Sequence, residues 1–168
     1  NYCQFIQFLA REENLNGALI QDQVTEKQQA IYFKQIVFTT GQWLANDRYS
    51  QQWCLLAKGV HLIMPAVPGD KALLLTARSD GRVFFLIPWY GMTLLGTTDT
   101  EFRGDVTNVK VEPSDIRYLL DAVNDYLQAP WNEQDIIGHF VGVRVFKREG
   151  QLNLQDSPSS VSRDWELK

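Results

Sequence analysis

Four short apolar runs, separated by turn residues, occupy the middle of the sequence. The turn segments between them are "PGD", "SDGR" and "YG", and the runs themselves are "KGVHLIMPAV", "KALLLTARS", "RVFFLIPWY" and "MTLLGTTDT". Evenly spaced strands with such turns are typical of an antiparallel sheet. The later segments "DIIGHFVGVRVF" and "SSVSRDWEL" have the same character and predict two further strands.

The first forty residues predict a smaller meander of three or four strands. "YCQFIQFLAR", "ALIQDQVT" and "QQAIYFKQIVFTTG" alternate apolar with polar residues, as half-buried strands do. Asn16-Gly17 predicts a hairpin turn between the first two, because both residues tolerate positive φ. The next segment, "QWLANDRYSQQWCLL", indicates a short helix or an irregular connection.

One segment, "EPSDIRYLLDAVNDYLQ", has the spacing of a helix. Pro113 suits the first turn, Ser114 and Asp115 complement the positive helix end, and Pro130 lies just beyond the last turn. A single apolar stripe is formed by Ile116, Leu119, Leu120, Val123, Tyr126 and Leu127. The predicted fold class is therefore α+β: a large, mostly antiparallel β-sheet backed by one long helix.

Composition excludes several classes of function. The 168 residues are 45% apolar and 21% charged, and the net charge is -4, so we expect no nucleic-acid partner. The longest apolar runs are far shorter than the roughly 20 residues that cross a bilayer. Cys3 and Cys54 have no metal or redox spacing and are expected to be reduced core residues. His61 and His139 match no metal motif, so no metal site is predicted.

Two basic residues of the strand "KGVHLIMP" are candidates for an anion site. Alternation places Val60, Leu62 and Met64 on one face and His61 on the other, where we expect Lys58 beside it. Such a pair could meet an anion, although a histidine in an apolar strand is more commonly a hydrogen-bonded core residue. His139 has no such neighbour and is given no role.

Arg144 lies in the otherwise apolar strand "GHFVGVRVF" and must have a partner, because an unpaired buried guanidinium is costly. That partner could be an internal carboxylate such as Asp99, or an anionic ligand held by the guanidinium fork. Arg163 is a similar case, with Asp164 adjacent. No two of the eleven glycines are two positions apart, so the dinucleotide motif GxGxxG does not occur.

Taken together, the segments resemble one family, the FAD-dependent, quinone-linked glycerol-3-phosphate dehydrogenases of the DAO-like superfamily. The matching motifs, in order, are "IVFTTGQW", "KGVHLIMP", "RVFFLIPW", "LLGTTDTEFRGD", the helix "DIRYLLDAVNDYL", "GVRVF" and "SSVSRDWEL". They cover nearly the whole chain. The family has Pro-Leu after the arginine of the GxR motif, where this chain has Val145-Phe146.

The resemblance implies an activity and a set of site residues. The reaction is oxidation of sn-glycerol 3-phosphate to dihydroxyacetone phosphate, with electrons passing through FAD to quinone. His61 matches the catalytic base, and Thr97, Arg144 and Arg163 match substrate-binding residues. Thr40 and Gly41 match the turn beside the flavin. The family also implies a cytoplasmic enzyme, peripheral to the inner membrane when full length.

The same resemblance implies that residues 1–168 are a central, substrate-binding part of a longer enzyme. Residues 1–45 correspond to strands adjoining the FAD domain, whereas the GxGxxG region and a C-terminal GGK-like segment are absent from the sequence. We therefore expect the isolated chain to be inactive and to bind flavin poorly. Three alternatives are another FAD-dependent oxidase of the superfamily, a non-catalytic module that binds a phosphorylated metabolite, and a structural sheet domain with internally paired arginines.

Overall fold

The computed structural model describes residues 1–11, 14–46 and 53–147. They fall into two compact units, residues 1–39 and the part of the chain from residue 40 onward. The predicted strand "SSVSRDWEL", with Arg163, lies outside the described residues.

The first unit is a three-stranded antiparallel sheet in the order β1-β2-β3, which confirms the predicted meander. The strands are β1 (Cys3–Arg11), β2 (Asn14–Asp22) and β3 (Gln28–Tyr32). The predicted turn at Asn16-Gly17 is wrong, because both residues lie within β2. Gly17 is needed there for close approach: a Cβ would stand 2.7 Å from the carbonyl oxygen of Ile31.

The second unit is built on a six-stranded antiparallel sheet, and its central strand is β4 (Cys54–Met64). A 3-10 helix, Gly41–Asn46, precedes β4, within the segment predicted as a short helix or irregular connection. Strands β7 (Met92–Gly96) and β8 (Thr100–Glu101) pair with one side of β4, and β9 (Gly138–Lys147) pairs with the other. The remaining strands are β5 (Leu73–Thr76) and β6 (Val83–Trp89).

The predicted helix is α1 (Pro113–Asn124), and it covers one face of this sheet. Pro113 occupies the first turn, and the backbone N–H of Glu112 donates to Asp115 Oδ2 at 2.9 Å. The helix ends at Asn124, so Tyr126 and Leu127 of the predicted apolar stripe lie beyond its end. The core contains Val60, Leu62, Met64, Phe84, Leu86 and Leu95 of the sheet with Leu119, Leu120 and Val123 of the helix. The α+β architecture, an antiparallel sheet with one long helix, is confirmed.

Lys58 faces the helix, so the expected Lys58–His61 pair is wrong. Lys58 Nζ lies 2.7 Å from Asp115 Oδ2 and 3.1 Å from Glu112 Oε2 at the start of α1. Burial alone would lower the pKa of Lys58, but the hydrogen bonds to these two carboxylates outweigh it and raise that pKa. The reason is strand geometry: side chains alternate between faces, and positions 58 and 61 differ by an odd number.

Other expectations concern residues outside this core. Neither Cys3 nor Cys54 forms a disulfide; Cys54 is buried but Cys3 is exposed, so the prediction that both are core residues is wrong for Cys3. In the described ranges no cluster of His, Cys, Asp or Glu side chains could hold a metal ion. Among those same residues, no helix is both long enough and apolar enough to span a membrane.

Candidate functional site

Three glycines give the sheet face opposite α1 a low floor. Gly59 of β4 lies directly opposite Gly142 of β9, and Gly96 of β7 lies opposite His61. Directly paired residues point their side chains to the same face, so all three glycines share the face of His61. Gly142 is exposed and has no heavy atom within 4 Å of where its Cβ would be. The floor is therefore open at Gly142 and covered by polar groups elsewhere.

His61 lies across this floor with its ring held on two sides. The imidazole occupies the space that a Gly96 side chain would fill, since His61 Cγ is 2.8 Å from the Cβ position. The ring also stacks on Phe140 of β9, with centroids 4.9 Å apart and an interplanar angle of 13°. Burial, and then the positive charge of Arg144, lower the pKa of His61 below its usual value. The imidazole is consequently neutral at neutral pH and can accept a proton.

In the segment "GTTD" the regular pairing of β7 with β4 stops, and the side chain of Thr98 holds the segment against β4. Strand β7 ends at Gly96, and Thr98 then takes over part of the hydrogen-bonding ladder beside β4. The backbone N–H of Val60 donates to Thr98 Oγ1 at 3.0 Å, and the N–H of Thr98 donates to the carbonyl of Val60 at 3.4 Å. This fixes Thr97 over Gly59, with its Oγ1 2.8 Å from the Cβ position of that glycine.

Arg144 reaches the same place from β9. Its backbone lies opposite Ala57, but its Nη2 extends over Gly59, 2.9 Å from the Cβ position. Nη2 donates to the carbonyl oxygen of Thr98 at 2.7 Å and to Asp99 Oδ1 at 2.9 Å. The proposed pairing with an internal carboxylate is thus present. Even so, the side chain remains 38% exposed, and its buried Nε has no partner among the described residues.

The distance between these groups suits a small molecule with an anionic end and a hydroxyl group. Gly59 and His61 are one pleat apart on β4, about 7 Å at the usual rise per residue. The Arg144 guanidinium and Thr97 hydroxyl lie over Gly59, and the neutral imidazole lies over the next position on the same face. A cationic anchor thus stands beside a proton acceptor.

The structure brings together three of the candidate residues, His61, Thr97 and Arg144. Gly41 begins the 3-10 helix, which lies against β4 and β9, but it and Thr40 take no part in this convergence. Gly41 has φ +57° and no heavy atom within 4 Å of its Cβ position, so its backbone is open to close approach. Arg163 lies outside the described residues.

Sequence reasoning missed the ring under His61 and the glycines that shape the floor. Phe140, Gly142 and Arg144 have the same parity on one strand, so they share a face, but only the β4–β9 register places Phe140 opposite His61. The glycine of "KGVH" carried the clearest available signal, because a glycine within an apolar strand often marks a close approach.

Comparison with known proteins assigns the chain to a family. Over 164 residues it is 31% identical to the aerobic glycerol-3-phosphate dehydrogenase of Escherichia coli K12, covering 94% of this chain and 32% of that protein. It is 32% identical over 150 residues to the alpha-glycerophosphate oxidase of Lactococcus lactis, covering 83% and 24% of the two chains.

A solved structure, the glycerol-3-phosphate dehydrogenase of Bacillus halodurans complexed with FAD, superposes with a TM-score of 0.70 at 28% identity. That match covers 95% of this chain and 33% of the other, so the chain spans between about a quarter and a third of the length of these three proteins. The family model described as FAD dependent oxidoreductase (DAO) matches residues 3–160. This chain therefore belongs to the DAO family of FAD-dependent oxidoreductases.

Proposed function

We propose that the enzyme containing this chain oxidises sn-glycerol 3-phosphate at C2, forming dihydroxyacetone phosphate with FAD as cofactor. One observation carries the proposal: a cationic side chain and a neutral imidazole converge over a glycine floor, one pleat apart. The relatives support the choice of substrate, since two of them are named for glycerol 3-phosphate and one for alpha-glycerophosphate.

The phosphate end of the substrate is held by Arg144 and Thr97. A guanidinium suits this task because its planar donors match phosphate oxygens. The Arg144 side chain is 38% exposed, and its hydrogen bonds to Thr98 and Asp99 both leave from Nη2, so the exposed part of the guanidinium can donate to phosphate. Arg163 is proposed as a second phosphate ligand on the strength of its motif alone.

His61 is the proposed base at the other end of the pocket. Oxidation of a secondary alcohol removes a proton from the hydroxyl oxygen and a hydride from the carbon that carries this hydroxyl group. The neutral imidazole accepts the proton from the C2 hydroxyl, and its stacking on Phe140 holds the ring in place. FAD, when bound, supplies the acceptor for the hydride.

The residues of this chain fit one edge of a flavin site. The open backbone at Gly41, with positive φ and free space beside its Cα, fits a turn that a planar ring can approach. Thr40 and Gly41 are the residues we assign to that contact. This sequence contains no GxGxxG loop, so the adenosine diphosphate part of FAD must be bound by other residues.

The electron acceptor is proposed to be a quinone, with the whole enzyme cytoplasmic and peripheral to the inner membrane, as in the family that the sequence motifs resemble. The similarity to an alpha-glycerophosphate oxidase favours a second candidate, in which molecular oxygen takes the electrons. Stoichiometric hydrogen peroxide during turnover in air, without added quinone, would select the oxidase.

An anaerobic titration of the flavin-loaded holoenzyme tests the proposal. Addition of sn-glycerol 3-phosphate should bleach the flavin absorbance. Arg144→Ala should raise the substrate concentration needed, and His61→Gln should slow the bleaching. Arg78→Ala is a matched control, because Arg78 is exposed and pairs with Asp125 at the end of α1, on the other face of the sheet. Absence of bleaching in the wild-type holoenzyme would refute the proposed substrate.

A further inference from the structure

Asp99 is held between arginines from two different parts of the sheet. Its carboxylate accepts a hydrogen bond from Arg144 Nη2 at 2.9 Å, and its backbone carbonyl accepts one from Arg82 Nη1 at 2.8 Å. Arg82 immediately precedes β6 and lies 3.4 Å from Asp80. The Asp99 side chain is only 15% exposed. The carboxylate thus has a fixed position before any ligand arrives.

We propose that Asp99 is a positioning residue that presents the Arg144 guanidinium to the substrate phosphate. The inference rests on the proposed function and adds a residue that no motif singled out for that task. Arg82 and Thr98 support it from the backbone side, because they fix the segment that carries the carboxylate.

The geometry favours positioning over competition for the guanidinium. Both hydrogen bonds, to Asp99 and to the Thr98 carbonyl, leave from Nη2, and 38% of the side chain is exposed, so a phosphate can approach the guanidinium from its open side. A phosphate therefore has no need to displace Asp99. An arginine side chain otherwise has many rotamers, and binding would have to restrict them. Asp99 restricts them beforehand.

The alternative role for Asp99 is electrostatic. The negative charge of Asp99 offsets the positive charge of Arg144 and repels a phosphate, so Asp99 would weaken phosphate binding in this role. The two roles make opposite predictions for two conservative variants. Asp99→Asn keeps an oxygen at the same place and removes the charge. Asp99→Glu keeps the charge and displaces the oxygens by one methylene.

The experiment measures kcat and KM for glycerol 3-phosphate, and the inhibition constant of inorganic phosphate, in the flavin-loaded holoenzyme. Positioning predicts that Asp99→Glu raises both KM and the inhibition constant about tenfold, which corresponds to about 1.4 kcal/mol, while kcat stays within about twofold. Asp99→Asn should leave both constants within about threefold. In an Arg144→Ala background Asp99→Glu should change nothing further, because its effect passes through Arg144. Asp125→Asn, at an exposed carboxylate paired with Arg78 on the helix side of the sheet, is the matched control.

Three results would overturn the inference. They are a large gain in phosphate affinity in Asp99→Asn, an unchanged KM in Asp99→Glu, and an equal effect of Asp99→Glu with and without Arg144. The proposed function is judged separately by flavin bleaching in the wild type. If glycerol 3-phosphate does not bleach the flavin, the substrate assignment fails, and the dissociation constants of inorganic phosphate for the variants, measured by calorimetry, still decide whether Asp99 orients Arg144.

Discussion

Replacing Gly59 with alanine should disturb the fold and the candidate site together. The new Cβ would stand 2.8 Å from Thr97 Oγ1 and 2.9 Å from Arg144 Nη2, closer than packed atoms allow. Both side chains can rotate away, so the steric cost is relieved by movement. Movement of Nη2, however, breaks its hydrogen bonds to the Thr98 carbonyl and to Asp99.

The magnitude follows from these bonds and from the denatured chain. A hydrogen bond to a charged group contributes about 1.5–3 kcal/mol. Alanine in place of glycine restricts the unfolded chain and stabilises by about 0.4–1 kcal/mol where the backbone conformation permits it. Because 38% of the Arg144 side chain is exposed, water replaces part of both lost bonds and leaves a loss of about 2–3 kcal/mol, so after a gain of up to about 1 kcal/mol the net expectation for Gly59→Ala is a destabilisation of about 1–2 kcal/mol, or roughly 2–8 °C in Tm for a domain of this size. KM for glycerol 3-phosphate should also rise, because Arg144 is displaced.

Gly142→Ala is the matched control for stability. Gly142 lies directly opposite Gly59 on the same face, but no heavy atom lies within 4 Å of its Cβ position. The same substitution should therefore leave Tm unchanged or raise it. Urea unfolding and thermal unfolding of both variants measure the difference. Equal changes in stability at the two positions would refute the claim that Thr97 and Arg144 crowd the space above Gly59.

Three further predictions concern charge and cofactor. Arg144→Met should raise the pKa of His61, because it removes a neighbouring positive charge; NMR titration of the imidazole should show it, and the acidic limb of kcat/KM should move to higher pH. An unchanged imidazole pKa would contradict this. Lys58→Met should destabilise by about 3–5 kcal/mol, because it leaves the buried Asp115 carboxylate unpaired. Arg78→Met, at an exposed ion pair, should cost under about 1 kcal/mol, and similar urea midpoints for the two variants would count against the buried pair. The isolated 168-residue chain should purify without flavin absorbance. A yellow preparation with bound flavin would contradict this prediction.

Elements with a strong local signal were predictable from the sequence. The α1 stripe, with Pro113 at its start, specified the helix because residues three and four apart share a face in any helix. The strands β4 to β7 were separable because turn segments divide short apolar runs. Asn16-Gly17 misled for a physical reason: a glycine serves a turn and a close strand approach equally well, and only the partner strand decides between them.

The candidate site was predictable only in part. His61, Thr97 and Arg144 belong to recognisable motifs, and the structure brings them to one face. The pairing of Arg144 with Asp99 was one of two options from the sequence, and the structure contains it. Phe140 was missed because its contact with His61 depends on strand register, which a single sequence does not specify. The misplacement of Lys58 is a different error, since strand alternation alone puts it on the face opposite His61.

Along the central strand β4, residues that stabilise the fold alternate with residues of the candidate site. Between Lys58 and Met64, the even-numbered side chains face the helix, whereas Gly59 and His61 lie on the face of the candidate site. In a saturation mutagenesis scan of this strand, substitutions at the even-numbered positions should reduce the amount of folded protein, and substitutions at positions 59 and 61 should mainly reduce turnover. Substitutions on the site face can then change which substrate is bound, while the residues on the helix face keep the protein folded.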